Sequence, residues 1–221
     1  MNNPTHVMPS HRVALDDFLR NSIRADREQE TPTETIYREL QAAYRYFNHA
    51  LFGGELPECL LSLDQSDRRE YGYFRANGFT SDAGTRVHQI SINPIYFWSR
   101  SIEQVLSTLA HEQCHLYMHE FSHARPTAGF HCYAWGHVMR RIGLWPTDNG
   151  KRSGNETGYR MSHLIIDGGL FQQACQLLLD HQFAFSWGST HRPARAAAKP
   201  GARVEAPAGD FKQTPLIEMS K

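Results

Sequence analysis

The chain has 221 residues, with 23 Lys and Arg against 23 Asp and Glu, so its formal net charge is zero. That length suits one domain with extensions, or two small domains, and 40% hydrophobic with 21% charged residues suits a soluble globular protein with a core. Zero net charge excludes a uniformly basic nucleic-acid binder while leaving room for a local patch, and no apolar run approaches the roughly 18 residues of a membrane span.

Residues 1–30 are polar, with a weak helical pattern at Leu15, Phe18, Leu19 and Ile23 that either docks on the core or stays free. The opening MNNPTHVMPSHRV has no charged region followed by an apolar one, so it does not read as a secretory signal. TPTE at 31–34 has the form of a capping box, with Pro32 at the first helical position. Ile36, Leu40, Ala43, Tyr44, Phe47 and Leu51 continue at helical spacing until Gly53-Gly54 stops the run. Three short apolar or β-branched segments follow, at 60–63, 71–75 and 87–93, separated by turn-prone DQSD, RANG and SDAG. They predict an antiparallel meander.

Ser101 with Gln104 opens a second capped helix, whose apolar face carries Ile102, Val105, Leu106 and Leu109. The loop SHARPTAG leads to a third helix predicted at 131–142, with Trp135, Val138, Met139 and Ile142 on one face and Gly143 and Pro146 ending it. Residues 147–160 read as an exposed polar loop, 170–181 as a fourth helix, and Phe183, Phe185 and Trp187 alternate as in a short strand. From Gly188 onward Pro, Ala, Gly and Arg dominate, which predicts a disordered tail. That tail carries 6 basic and 3 acidic residues, so the rest of the chain is slightly acidic.

The 13 His outnumber Met (6), Trp (4) and Cys (4). Cys59, Cys114, Cys132 and Cys175 include no CxxC pair, which excludes a zinc ribbon. Four scattered thiols without an export signal fit a reducing, cytoplasmic compartment. Cys114 and Cys175 read as buried hydrophobes.

His111-Glu112-Gln113-Cys114-His115 is an HExxH motif on the second helix. Residues i and i+4 share one helix face, so two imidazoles can hold one Zn²⁺. Glu112 beside them can take a proton from an attacking water that the metal has made acidic. A catalytic zinc needs a third protein ligand. His119 faces the same way as His111 but lies about 12 Å along a straight helix, too far for the same ion. His123 is poorly placed and His137 lies on the opposite face of its helix. His131 opens the third helix on the face that turns inward, and fits best.

The sequence resembles the SprT-like zinc metallopeptidases. HEQCHLYMHEF at 111–121, then FHCYAWGHVMRRIGLWPTDNG at 130–150, matches that family's HExxH helix and its third histidine in an H-x-x-x-W context. LFGGELP at 51–57, ISINPIYF at 90–97 and GYRMSHLIIDGGLF at 158–171 add to the likeness, which covers about residues 34–187. The resemblance implies a zincin-like α+β domain, a short antiparallel sheet packed against helices that include the HExxH helix. It implies one Zn²⁺ per chain on His111, His115 and His131, Glu112 as the catalytic residue, and proteolysis of a protein substrate. The eukaryotic relative Spartan degrades DNA-crosslinked proteins in a DNA-dependent way. The chain departs from the family in having no C-terminal zinc ribbon, which weakens any carry-over of DNA binding, and in having Cys132 where Gly usually follows the third histidine.

The expected organisation is an N-terminal extension at 1–33, the metallopeptidase domain at 34–187 and a basic tail at 188–221. His163 is either a contact to substrate or transition state, through oxyanion stabilisation, or a packed structural histidine. Tyr73, beside Gly72, either lines a strand that pairs with an extended substrate or flanks a bulge. Arg140, Arg141, Lys151, Arg152 and Arg160 either contact DNA phosphates or are solvated. The rival to a peptidase is a non-enzymatic DNA-associated or adaptor module with a structural zinc. HExxH also suits hydrolysis of another kind of bond.

Overall fold

The computed structural model describes residues 30–66, 70–122, 129–191 and 203–205. The predicted pattern at Leu15–Ile23, His123, and the tail residues at 192–202 and 206–221 lie outside them.

Helix α1 spans Pro32–Phe52. Its capping box is formed: the Glu34 N–H donates to Thr31 Oγ1 and the Thr31 N–H donates to the Glu34 carboxylate at 2.8 Å. Gly53 ends the helix at φ 69°, a left-handed position that glycine takes without Cβ strain. Leu40, Ala43, Tyr44, Phe47 and Leu51 are fully or almost fully buried. The Asn48 side chain, also buried, bonds both backbone groups of Leu56 and fixes the turn that follows.

Strands β1 (Leu60–Leu63), β2 (Gly72–Thr80) and β3 (Arg86–Ile92) form a sheet in the order β1-β3-β2. β2 and β3 are antiparallel, with an irregularity between Arg75 and Phe79, where Asn77 adopts φ 50°. β1 runs parallel to β3, so the expected antiparallel meander holds only for β2 and β3. The strand whose residues 89–92 are all buried takes the centre, where both of its edges are paired. The Asn93 side chain holds the β1–β2 connection by donating to the Ser66 and Glu70 carbonyls.

Helix α2 (Ile102–Phe121) starts at the predicted Ser101–Gln104 capping box and packs against α1, β2 and β3. Twelve of its 20 residues are buried, including Ser107, Thr108, Glu112 and Gln113. Gly72 sets its approach to β2. A Cβ there would meet Ser91 O at 2.8 Å and Thr108 Cγ2 at 3.0 Å.

Beyond α2 come β4 (Phe130–His131), α3 (Tyr133–Arg141), β5 (Leu144–Thr147), β6 (Gly158–Tyr159), β7 (Ser162–Ile166) and α4 (Leu170–Asp180). β4 pairs with β6, and β5 pairs antiparallel with β7. Within 147–160 the backbone is turn-rich and internally bonded, with Asp148 holding Asn155 and Thr147 holding Lys151. Among the described residues, one hydrophobic core joins four helices to the first sheet. The architecture of these residues is α+β, four helices around small mixed sheets.

Three further expectations change. The third helix begins at Tyr133, so His131 lies in a strand just before it. Phe183, Phe185 and Trp187 form no strand. There the Ser186 N–H donates to the Glu39 carboxylate at 2.7 Å, which occupies a group that a ladder would need. Phe183 and Phe185 are buried and Trp187 is 50% exposed. Finally, the tail is ordered at Arg203–Val204, which form β8 alongside β7 in parallel. Val204 packs on Leu164 and Ile166, and Arg203 meets Glu103 and Asp167, so burial and charge pairing outweigh the low local propensity.

Candidate metal centre

His111 and His115 lie one turn apart on α2, with ring centroids 5.1 Å apart. His131 enters from β4, 5.7 Å from the His111 ring and 4.7 Å from the His115 ring. One ligand atom from each of the three lies within 4.8 Å of the others. The β4–β6 pairing places His131: it is registered with Gly158, and its Nδ1 lies 3.1 Å from the Gly158 carbonyl. A carbonyl only accepts, so Nδ1 carries the proton and Nε2 keeps a lone pair for a ligand.

Trp135 closes one side. Its fully buried ring lies 5.0, 5.2 and 4.4 Å from the rings of His111, His115 and His131. The H-x-x-x-W spacing is therefore a packing device: the tryptophan on the first turn of α3 limits the rotamers of all three imidazoles.

The electrostatics favour uncharged rings. Burial pushes the pKa of His115 down to about 3, with His131 adding to the effect. His111 is held well below the ordinary histidine value by burial and by His115, His163 and His131. His131 is lowered by burial, with the Gly158 hydrogen bond opposing. Three converging imidazoles held uncharged, with His115 partly exposed, are a donor set suited to Zn²⁺. Glu112, the residue after His111 on α2, is buried. Burial raises its pKa to about 8, with Glu70 adding to the effect and the Phe74 backbone opposing it.

His163 is buried on β7. Its Nδ1 lies 3.1 Å from His111 Nδ1 and its Nε2 lies 2.8 Å from Ser107 Oγ. Both ring nitrogens thus meet protein groups behind the ligand set. Tyr73 is not gathered with the histidines. Its hydroxyl lies 3.2 Å from Asp64 Oδ2 and accepts from Gln89. Its neighbour Phe74 turns the other way, towards His88 and His119. The irregularity in β2 lies at 75–79, away from Gly72.

A second group, His88, His119 and Glu120, also brings ligand atoms within 4.8 Å. Here the hydrogen bonds argue against a metal. The Asn77 N–H donates to His88 Nδ1, so the proton of a neutral His88 sits on Nε2, 3.1 Å from the Glu120 carboxylate. No lone pair remains on His88, and the ring instead ties the irregular part of β2 to the end of α2. His119 lies against this pair, and His137 is exposed.

The basic residues at the end of α3 and beyond it are dispersed. Arg140 is buried and ion-paired with Glu156, and Arg141 is buried. Arg152 stacks over Trp145 at 4.1 Å and donates to the Glu205 carbonyl. Lys151 and Arg160 are exposed. Cys132 sits at the cap of α3, half-buried, with no cap bond from its side chain. Cys114 and Cys175 are buried, as expected.

Two contributors were absent from the sequence reading. Ser107 sits four residues before His111, a spacing that puts both on one helix face and was available as a signal. Gly158 acts through its backbone carbonyl, which leaves no trace in residue identity.

The profile of the SprT-like family matches residues 40–155, just over half of the chain. The match takes in His111, Glu112, His115, His131 and Trp135. A curated relative from Salmonella typhimurium, described as an uncharacterized protein in the mucB 3' region, is 47% identical over 58 residues. The alignment spans 23% of this chain and 77% of that protein. No solved structure matches the chain. With its HExxH helix, its third histidine and its match over residues 40–155, the chain belongs to the SprT-like family.

Proposed function

We propose that the protein is a zinc-dependent peptidase, with His111, His115 and His131 as ligands and Glu112 as general base. The observation that carries this reading is the convergence of three imidazoles, with His111 and His131 buried and His115 partly buried, together with a buried carboxyl group at the residue after His111. When bound, zinc supplies Lewis acidity, which makes a water more acidic and polarises a carbonyl.

The chain's own groups supply the rest. Glu112 takes the proton of the attacking water and returns it to the amine that leaves. Burial raises the Glu112 pKa in the metal-free protein, and a bound cation would draw it back down and so favour the carboxylate that accepts the proton. Trp135 excludes water from one side of the cluster and restricts the rings. Among the described residues β2 is an edge strand, paired only with β3, and its Phe74 backbone lies next to Glu112. An extended peptide pairing along β2 would bring its backbone past the general base. A structural zinc would not require Glu112, whose burial costs free energy.

The test is cleavage of an unfolded protein by freshly purified chain, before and after chelation and after zinc is restored. Activity should vanish on chelation and return with zinc. Zinc retention with no turnover on any protein or peptide would overturn the proposal and favour an adaptor module. Parallel reactions with and without DNA test whether cleavage depends on DNA.

A further inference from the structure

We propose that His163 is a positioning residue for the metal centre. It accepts a hydrogen bond from His111 Nδ1 and so holds His111 in the tautomer that leaves Nε2 free to ligate. The inference rests on the metal reading given above, and it deepens that reading by naming what orients the ligands.

One chain of hydrogen bonds runs from the Gln104 carbonyl through Ser107 and His163 to His111. The Gln104 carbonyl can only accept, and Ser107 Oγ donates its single proton to it at 2.9 Å. Ser107 Oγ must therefore accept from His163 Nε2, 2.8 Å away. A neutral imidazole has one N–H, so His163 Nδ1 carries a lone pair. Its partner at 3.1 Å, His111 Nδ1, must then be the donor. With Ser107 Oγ donating to the Gln104 carbonyl, which also accepts from Arg100 at 2.7 Å, the Nδ1–H tautomer of His111 gives both nitrogens of His163 a partner.

The same device recurs on His131, whose Nδ1–H donates to the Gly158 carbonyl. Gly158 and His163 belong to one segment, β6 to β7, beyond residue 155 where the family match ends. That segment is pinned from both sides: His163 is registered with Pro146 of β5, and Ile165 with Arg203 of β8. One stretch outside the HExxH helix thus orients two of the three ligands from behind. Partners of this kind commonly affect metal affinity by about 10–100-fold when removed.

The experiment uses the full chain. Long-range ¹H–¹⁵N correlation spectra of the metal-free protein read the His111 tautomer directly, with no metal or substrate present. Zinc affinity is then measured by chelator competition for wild type, H163L and H163N, with thermal unfolding of each apoprotein as a control. Leu removes the acceptor, whereas Asn keeps an oxygen near the position of Nδ1. The expected results are an Nδ1–H tautomer for His111, a loss of about 10–100-fold in zinc affinity for H163L, and recovery of most of it in H163N. If H163L does not fold, the wild-type tautomer and H163N decide. An Nε2–H tautomer for His111 overturns the inference, as does a folded H163L with wild-type zinc affinity. Intact zinc binding with these tautomer and affinity results, but no proteolysis, would overturn the peptidase proposal and support this one. Unaltered cleavage and zinc affinity in H163L would do the reverse.

Discussion

The ring of Trp135 stacks on His115, with centroids 5.2 Å apart and 20° between their planes, while it meets His111 and His131 edge-on. One buried residue therefore touches every proposed ligand. W135A should lower stability by about 3–5 kcal/mol, the usual cost of removing a large buried aromatic ring. W135F, which keeps a ring, should be milder and should retain zinc more tightly than W135A. Urea unfolding with parallel zinc titration checks both.

The ligand set should couple metal binding to folding. Excess zinc at about 100 times its dissociation constant adds roughly 2.7 kcal/mol to the folded state. The melting temperature of wild type should therefore fall on chelation, whereas H111A, H115A and H131A should respond little to either zinc or chelator. A wild-type melting curve that ignores both would contradict the assignment.

The metal-free protein should show opposing pH effects. His115 has its pKa lowered to about 3, against an ordinary histidine value in the unfolded chain. Between those values the unfolded state binds the extra proton, so stability falls as pH drops from about 6.5 towards 3. Glu112 has the opposite sign: its pKa of about 8 lies above the ordinary carboxyl value. Its stabilising protonated form is lost as pH rises, so its burial is most costly above pH 8. E112Q should raise apoprotein stability at pH 8.5, by an amount of order a few kcal/mol, and change it little at pH 4. Thermal unfolding of both proteins across this range gives the comparison.

Gly72 predicts a packing effect transmitted to the site. G72A would force a Cβ to 2.8 Å from Ser91 O, and the helix that carries Glu112 would have to move from β2. A loss of about 1–3 kcal/mol is expected, as for overpacked cores. G84A is the control. It carries positive-φ strain of its own, but a Cβ there meets nothing within 4 Å. Denaturant midpoints should fall for both, and activity per folded molecule only for G72A.

What could be read from sequence follows the range of the interactions. Both capping boxes and the HExxH face depend on residues three or four apart, and all three are formed. His131 could be chosen as third ligand by its place near an inward helix face. Its strand could not be foreseen, because it exists through pairing with Gly158, 27 residues away. The parallel pairing of β1 and the return of Arg203–Val204 to β7 likewise depend on distant partners. Both alternatives for His163 were visible, but its actual neighbours were not: Ser107 precedes it by 56 residues and His111 by 52.

The most direct measurement compares wild type and E112Q in one cleavage assay on an unfolded protein substrate, with zinc quantified in the same samples. The account predicts about one zinc per chain in both proteins, and cleavage by wild type alone. Equal cleavage by both, or zinc-loaded wild type that cleaves nothing, would contradict it.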